Sequence, residues 1–159
     1  MSELIPGSLA PDFTLPTDNG GEITLSSLRG RKIVLFFYPK DDTPGCTAES
    51  CDFRDKLPQF ESMNVKVLGI SKCNVKKHDR FKSKYELNFP LASDEFGNTC
   101  EKYGVWKEKS MYGRKYMGIE RSTFLIDENG RIAALWRKVS VPGHVESVLA
   151  ALQDQAEAA

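Results

Sequence analysis

Lys32-Ile-Val-Leu-Phe-Phe-Tyr38 is an unbroken β-branched and aromatic run. A strand of this kind has no polar face to offer water. It must be buried on both sides, as strands are in sheets sandwiched between helices. Val65-Lys-Val-Leu-Gly-Ile70 repeats the pattern, and Ser122-Thr-Phe-Leu-Ile126 with Arg131-Ile-Ala-Ala-Leu-Trp136 forms two further strands around an Asp127-Glu-Asn-Gly130 hairpin turn. The chain is thus predicted to build its core on one α/β sheet.

Helical segments separate these strands. Thr43 followed by Pro44 reads as an N-cap with proline at the first helical position, and Phe53, Leu57 and Phe60 then recur on one helical face. Pro58 is expected to kink or break that helix near its end. Asn74 caps a second helix with Val75, His78, Phe81 and Tyr85 on about one face. A third, from about Glu95 to Tyr103, places Phe96, Thr99, Cys100 and Tyr103 on one stripe. Pro142 opens the last, with Val145, Val148, Leu149 and Leu152 inward and a frayed end from Gln153 to Ala159.

Ahead of the first long strand, Phe13-Thr-Leu15 and Glu22-Ile-Thr-Leu25 alternate around an Asn-Gly pair, a hairpin signal. Phe89-Pro-Leu91 is short enough for an edge strand. Gly104 to Ile119 has no period and reads as a long, functional loop. The order β-β-β-α-β-α-(β)-α-β-β-α matches a thioredoxin-like α/β arrangement: a central mixed sheet flanked by helices, with an N-terminal β-hairpin added. Residues 1–159 are expected to form a single domain, without repeats or linkers.

The 159 residues carry 22 Lys+Arg against 22 Asp+Glu, so the formal net charge is zero. A neutral chain lacks the basic field on which nucleic-acid binding and polybasic membrane contacts depend. No secretory signal or membrane-spanning run is visible, and a cytosolic location is expected. In a reducing compartment, four cysteines are packed thiols, metal ligands or catalytic thiols sooner than bridges.

Cys46 falls in the first turn of the helix that follows the apolar strand. Unpaired N–H groups and the positive end of the helix dipole favour a thiolate there, and the carboxyl end of a strand is where open α/β sheets bind ligands. The competing reading is a small buried hydrophobe. Cys51 lies in the same helix. Ideal geometry separates the two Cα atoms by about 8.6 Å with side chains on different faces, whereas a disulfide needs less than about 7 Å. The pair can bond only if the first two turns unwind, and spacing alone leaves Cys51 between partner and ordinary helix residue. Cys100, on an apolar stripe, reads as a core thiol. Cys73 follows the second strand and is a lesser rival for the partner role. No spacing suits zinc, and His78 and His144 read as partly buried polar residues.

The string Phe37-Tyr-Pro-Lys-Asp-Asp-Thr-Pro-Gly-Cys-Thr-Ala-Glu-Ser-Cys51 resembles the active-site motif of the peroxiredoxins, and among them the bacterioferritin comigratory protein (PrxQ) branch. The likeness continues through Gly69-Ile-Ser71, Leu91-Ala-Ser-Asp94, Lys102-Tyr-Gly-Val-Trp106 and Arg121-Ser-Thr-Phe-Leu-Ile-Asp127. It implies a peroxidatic Cys46 that becomes a sulfenic acid, and a resolving Cys51 that closes an intramolecular disulfide for thioredoxin to reduce. It further implies that Arg121 polarises the peroxide and Thr43 bonds the thiolate or the substrate. Pro39 would shield the thiolate, Glu49 would orient Arg121, and the Gly45 and Cys46 N–H groups would hold the peroxide oxygen. No cofactor is called for, and the expected state is a monomer. Cys73 departs from the pattern, since many relatives carry Asp there. Two other classes use the same residues: a redox-switched sensor or holdase that exposes residues such as Phe53, and a disulfide exchanger, which the five-residue spacing disfavours.

Overall fold

Burial of the central strand on both faces sets the architecture of the computed structural model, which describes residues 3–158. The hairpin of β1 (Thr14–Pro16) and β2 (Glu22–Thr24) turns through Asn19 and Gly20, both with positive φ, as the Asn-Gly pair predicts. Next comes β3 (Lys32–Phe37), which pairs in parallel with β4 (Val65–Ser71) and antiparallel with β8 (Ser122–Ile126). With β5 (Leu91–Ser93) and β9 (Ile132–Trp136) at the edges, the sheet order is β5-β4-β3-β8-β9. The short edge strand therefore begins at Leu91, just past the proline.

Odd and even residues of β3 feed two different cores. Val34 and Phe36 face α1 (Pro44–Ser62) and α4 (His144–Ala158), where Phe53, Leu57, Phe60, Val145, Val148, Leu149 and Leu152 close over them. Phe81 of α2 (Val75–Tyr85) joins the same layer. Ile33, Leu35 and Phe37 face the other way, against Phe13, Leu15, Cys100, Tyr103 and Ile119. A buried side chain of this size contributes roughly 1.5–3 kcal/mol, so β3 is the structural axis from which the following loop departs.

Four sequence expectations change. Pro58 does not end α1, which runs on to Ser62; the single N–H a proline lacks does not outweigh the buried face on Phe53, Leu57 and Phe60. The third helix, α3, shrinks to Thr99–Lys102, and Phe96 is 95% exposed rather than on the stripe. The buried Asp94 carboxylate takes the N–H groups of Thr99 and Cys100 at 3.1 and 2.8 Å, which fixes the helix start there. Gly104–Ile119 is no loop: β6 (Trp106–Met111) and β7 (Arg114–Ile119) pair as an antiparallel ribbon turning at Tyr112 and Gly113. Most of its residues are solvated on both faces, so no apolar period betrays it. Finally, α4 stays helical through Ala158, while Ala159 lies outside the described residues.

Candidate active site

Strand β3 delivers the chain into the loop from Pro39 to Thr43, and α1 starts immediately behind it. The first bond of the helix, Thr47 N–H to the Thr43 carbonyl at 2.8 Å, leaves the N–H groups of Gly45 and Cys46 ahead of it with no preceding turn to satisfy. Cys46 is 1% exposed, on the helix-covered side of the sheet.

Arg121 enters from the residue before β8. Its Nη2 donates to Cys46 Sγ at 3.3 Å and its Nη1 to Glu49 Oε1 at 2.7 Å. One guanidinium thus spans the thiol and a carboxyl that is itself fully buried. Burial works to lower the Arg121 pKa, but Glu49 and Cys46 outweigh it and hold the guanidinium charged. For Glu49, burial wins over the pull of Arg121 and pushes the carboxyl up to about 7. The arginine is therefore only partly neutralised by its carboxyl partner near neutral pH.

Gly45 supplies the space for this contact. A Cβ at that position would lie 3.1 Å from Arg121 Nη2, tight enough to displace the guanidinium. The motif marks the Gly45 backbone but not this role, because nothing local in the sequence reveals a side chain arriving from 76 positions away.

Thr43 sits at the helix cap, yet its hydroxyl makes no capping bond and donates instead to the Lys40 carbonyl at 2.8 Å. No hydrogen bond joins it to Cys46 among the described residues. Its lone pairs remain available as acceptors. Pro39 is half-buried in the same loop. Cys51 is also half-buried, one turn beyond Cys46 within an intact helix, and all four cysteines are free thiols. The structure therefore brings Cys46, Arg121, Glu49 and Gly45 together and holds Cys51 apart.

Cys73 stands at the carboxyl end of β4, where the Asp41 N–H donates to its sulfur at 3.4 Å. Cys100 is fully buried, as a core thiol should be, and burial with Asp94 nearby pushes its pKa up. The two histidines are more buried than the sequence suggests. His78 is fully enclosed beside Asp41, and His144 lies within 2.8 Å of Thr123 Oγ1 and 4.0 Å of Glu49 Oε2. Burial, followed by the charge of Arg121, lowers the His144 pKa to about 4, so it is a neutral neighbour of Glu49 at pH 7. A histidine at a helix start was the only trace of it in the sequence.

A thioredoxin-like sheet with a buried cysteine at the start of α1, bridged by an arginine to a carboxyl, defines a thiol-dependent redox class. Residues 6–135 match the AhpC/TSA family, and the chain belongs to that family of peroxiredoxins. Among relatives, it is 48% identical to the peroxiredoxin Bcp of Bacillus subtilis over 95% of this chain and 96% of that one. The solved structure of Xanthomonas campestris peroxiredoxin Q superposes with a TM-score of 0.88 at 45% identity, covering 96% of this chain and 97% of that one. A structure of the Xanthomonas campestris bacterioferritin comigratory protein, described for its alkyl peroxide reduction activity, gives 0.88 at 44% identity, covering 96% of this chain and 98% of that one.

Proposed function

We propose that this protein is a two-cysteine thiol peroxidase that reduces hydrogen peroxide and organic hydroperoxides, with Cys46 as nucleophile and Cys51 as resolver. The contact that carries the reading is the Arg121 fork, 3.3 Å from Cys46 Sγ and 2.7 Å from Glu49 Oε1. A fixed cation on the sulfur stabilises the thiolate, and the same cation faces charge that develops on the peroxide oxygens.

The thiolate attacks the terminal oxygen of R–O–O–H. The S–O bond forms as the O–O bond breaks, the sulfur is oxidised to Cys46–SOH, and the peroxide leaves as R–OH after taking a proton. The N–H groups of Gly45 and Cys46 hold the oxygen under attack, and Thr43 Oγ1 accepts from the incoming hydroperoxide. Pro39 limits water at the thiolate. The first turns of α1 then unwind, Cys51–SH attacks the sulfenic sulfur, and a Cys46–Cys51 disulfide forms with loss of water. Thioredoxin returns both thiols by exchange, and the single-domain chain completes the cycle as a monomer.

The decisive experiment is peptide mapping of disulfides after stoichiometric peroxide, on the wild type and on each single Cys→Ser variant. It is paired with steady-state turnover in the presence of thioredoxin, its reductase and NADPH. Cys46→Ser should abolish peroxide consumption, and Cys51→Ser should allow one oxidation and no cycling. Consumption of one peroxide per chain by the wild type would instead support a sensor, and a disulfide through Cys73 would displace Cys51.

A further inference from the structure

The loop that carries Pro39 and Thr43 also holds two adjacent aspartates that the chemistry above does not use. Asp41 is anchored in the interior. The Tyr38 hydroxyl donates to its Oδ1 at 2.6 Å, His78 Nδ1 lies 2.6 Å from its Oδ2, and His78 Nε2 donates to the Ala92 carbonyl at 2.9 Å. Asp42 turns outward to the last turn of α2. There Lys84 Nζ lies 2.9 Å from Oδ2, and the Tyr85 hydroxyl donates to Oδ1 at 2.6 Å. Asp42 is also held at φ 63°, a left-handed backbone that a residue with a Cβ adopts at a cost. The side-chain contacts to α2 maintain that conformation two residues before α1 begins.

We propose that Lys84 and Tyr85, acting through Asp42, are positioning residues that latch the start of α1, and that they set how the Cys46 sulfenic acid divides between resolution and over-oxidation. This rests on the reading of Cys46 and Cys51 given above. With the latch closed, Cys46 stays in its pocket. There a second hydroperoxide can transfer one oxygen, Cys46–SOH + R–OOH giving Cys46–SO₂H + R–OH. With the latch open, Asp42 can return to negative φ, which reorients the peptide leading into Pro44 and Cys46 and helps the first turns unwind. Cys46–SOH + Cys51–SH then gives the disulfide and water. The deep Asp41 anchor stays in place throughout, so the hinge falls at Asp42 and Thr43. Because Lys84 and Asp42 are both half-exposed, the latch is weak enough to open during turnover.

The test uses full-length reduced protein carrying Lys84→Met, Tyr85→Phe or both. One equivalent of hydrogen peroxide is added to follow resolution and a graded excess to follow over-oxidation. Samples are quenched with acid and alkylated at timed intervals, and thiol, disulfide and sulfinic acid are counted by mass spectrometry. Disulfide formation should accelerate about 3- to 10-fold, the scale of one weak ion pair and one charge-assisted hydrogen bond. The first oxidation should change less than about twofold on the same scale. More peroxide should be needed to reach half-maximal sulfinic acid, and Lys84→Arg should restore wild-type partitioning. Raised salt should move the wild type in the same direction as Lys84→Met. Unchanged or slower resolution in both single variants overturns the proposal. So does faster resolution accompanied by slowed first oxidation and a lowered thermal midpoint, which marks general loosening. Failure of the underlying reading looks different: the mapped disulfide of the wild type would then not join Cys46 to Cys51.

Discussion

Replacing Glu49 by Gln should flatten the pH dependence of folding. Gln keeps an oxygen to accept from Arg121 Nη1, as Glu49 Oε1 does at 2.7 Å, but cannot ionise. In the folded wild type, burial raises the Glu49 carboxyl from 4.5 to about 7. A carboxyl whose folded value lies above its unfolded value binds more protons when folded. Its contribution is therefore intact at low pH and is lost as pH rises from the unfolded value through the folded one. At about 1.4 kcal/mol per pH unit, the wild type should lose roughly 2–3 kcal/mol between pH 5 and pH 8 relative to Glu49→Gln. For a domain of this size that corresponds to about 5–10 °C in thermal midpoint. His144 titrates in the opposite sense, since its depressed value makes stability rise with pH from about 4 toward 6.5. It is present in both proteins, so the comparison removes it. The assay is thermal and urea unfolding of the reduced proteins at closely spaced pH values. Parallel curves for wild type and variant across pH 5–8 would refute the argument that burial outweighs Arg121 at this carboxyl.

Four further outcomes follow from the geometry. Arg121→Met should slow single-turnover oxidation of Cys46 by about 10²- to 10³-fold, the usual loss for a preorganised charge donor; stopped-flow rates near wild type would remove Arg121 from the reaction. Gly45→Ala puts a Cβ 3.1 Å from Arg121 Nη2, and should slow the same step about tenfold while barely moving the thermal midpoint. Phe53→Ala, at a ring stacked 4.5 Å from Phe36, should cost about 3–5 kcal/mol in urea unfolding. On oxidation, amides of residues 46–51 should lose hydrogen-exchange protection, because a Cys46–Cys51 bond cannot form across an intact helix; full protection in the disulfide form would contradict the unwinding step.

The ribbon and the third helix show why part of the molecule was illegible before folding. A period of two or of 3.6 becomes visible only where one face is buried. The sequence therefore announced β3, β4, β8 and the inward stripes of α1 and α4, whose apolar residues lie in the two cores. β6 and β7 are largely solvated, and they left only the Tyr112-Gly113 turn as a trace. α3 is shorter than its apolar stripe suggests because its start depends on the Asp94 carboxylate, whose aim is set by packing and not by local propensity.

A similar division runs through the site. By itself, the chain determined that a cysteine would stand in the first turn of a helix behind a doubly buried strand, and that its partner five residues on could be reached only by unwinding. Those are short-range facts of helix geometry. The family likeness names Arg121 and Glu49, but only the tertiary structure decided that the guanidinium would thread past Gly45 onto the sulfur, and that Glu49 would be buried enough to lose part of its charge. It also decided that Asp42 would be held by the end of α2. Each depends on side chains brought together across tens of residues, where burial and charge act through space and leave no pattern along the chain.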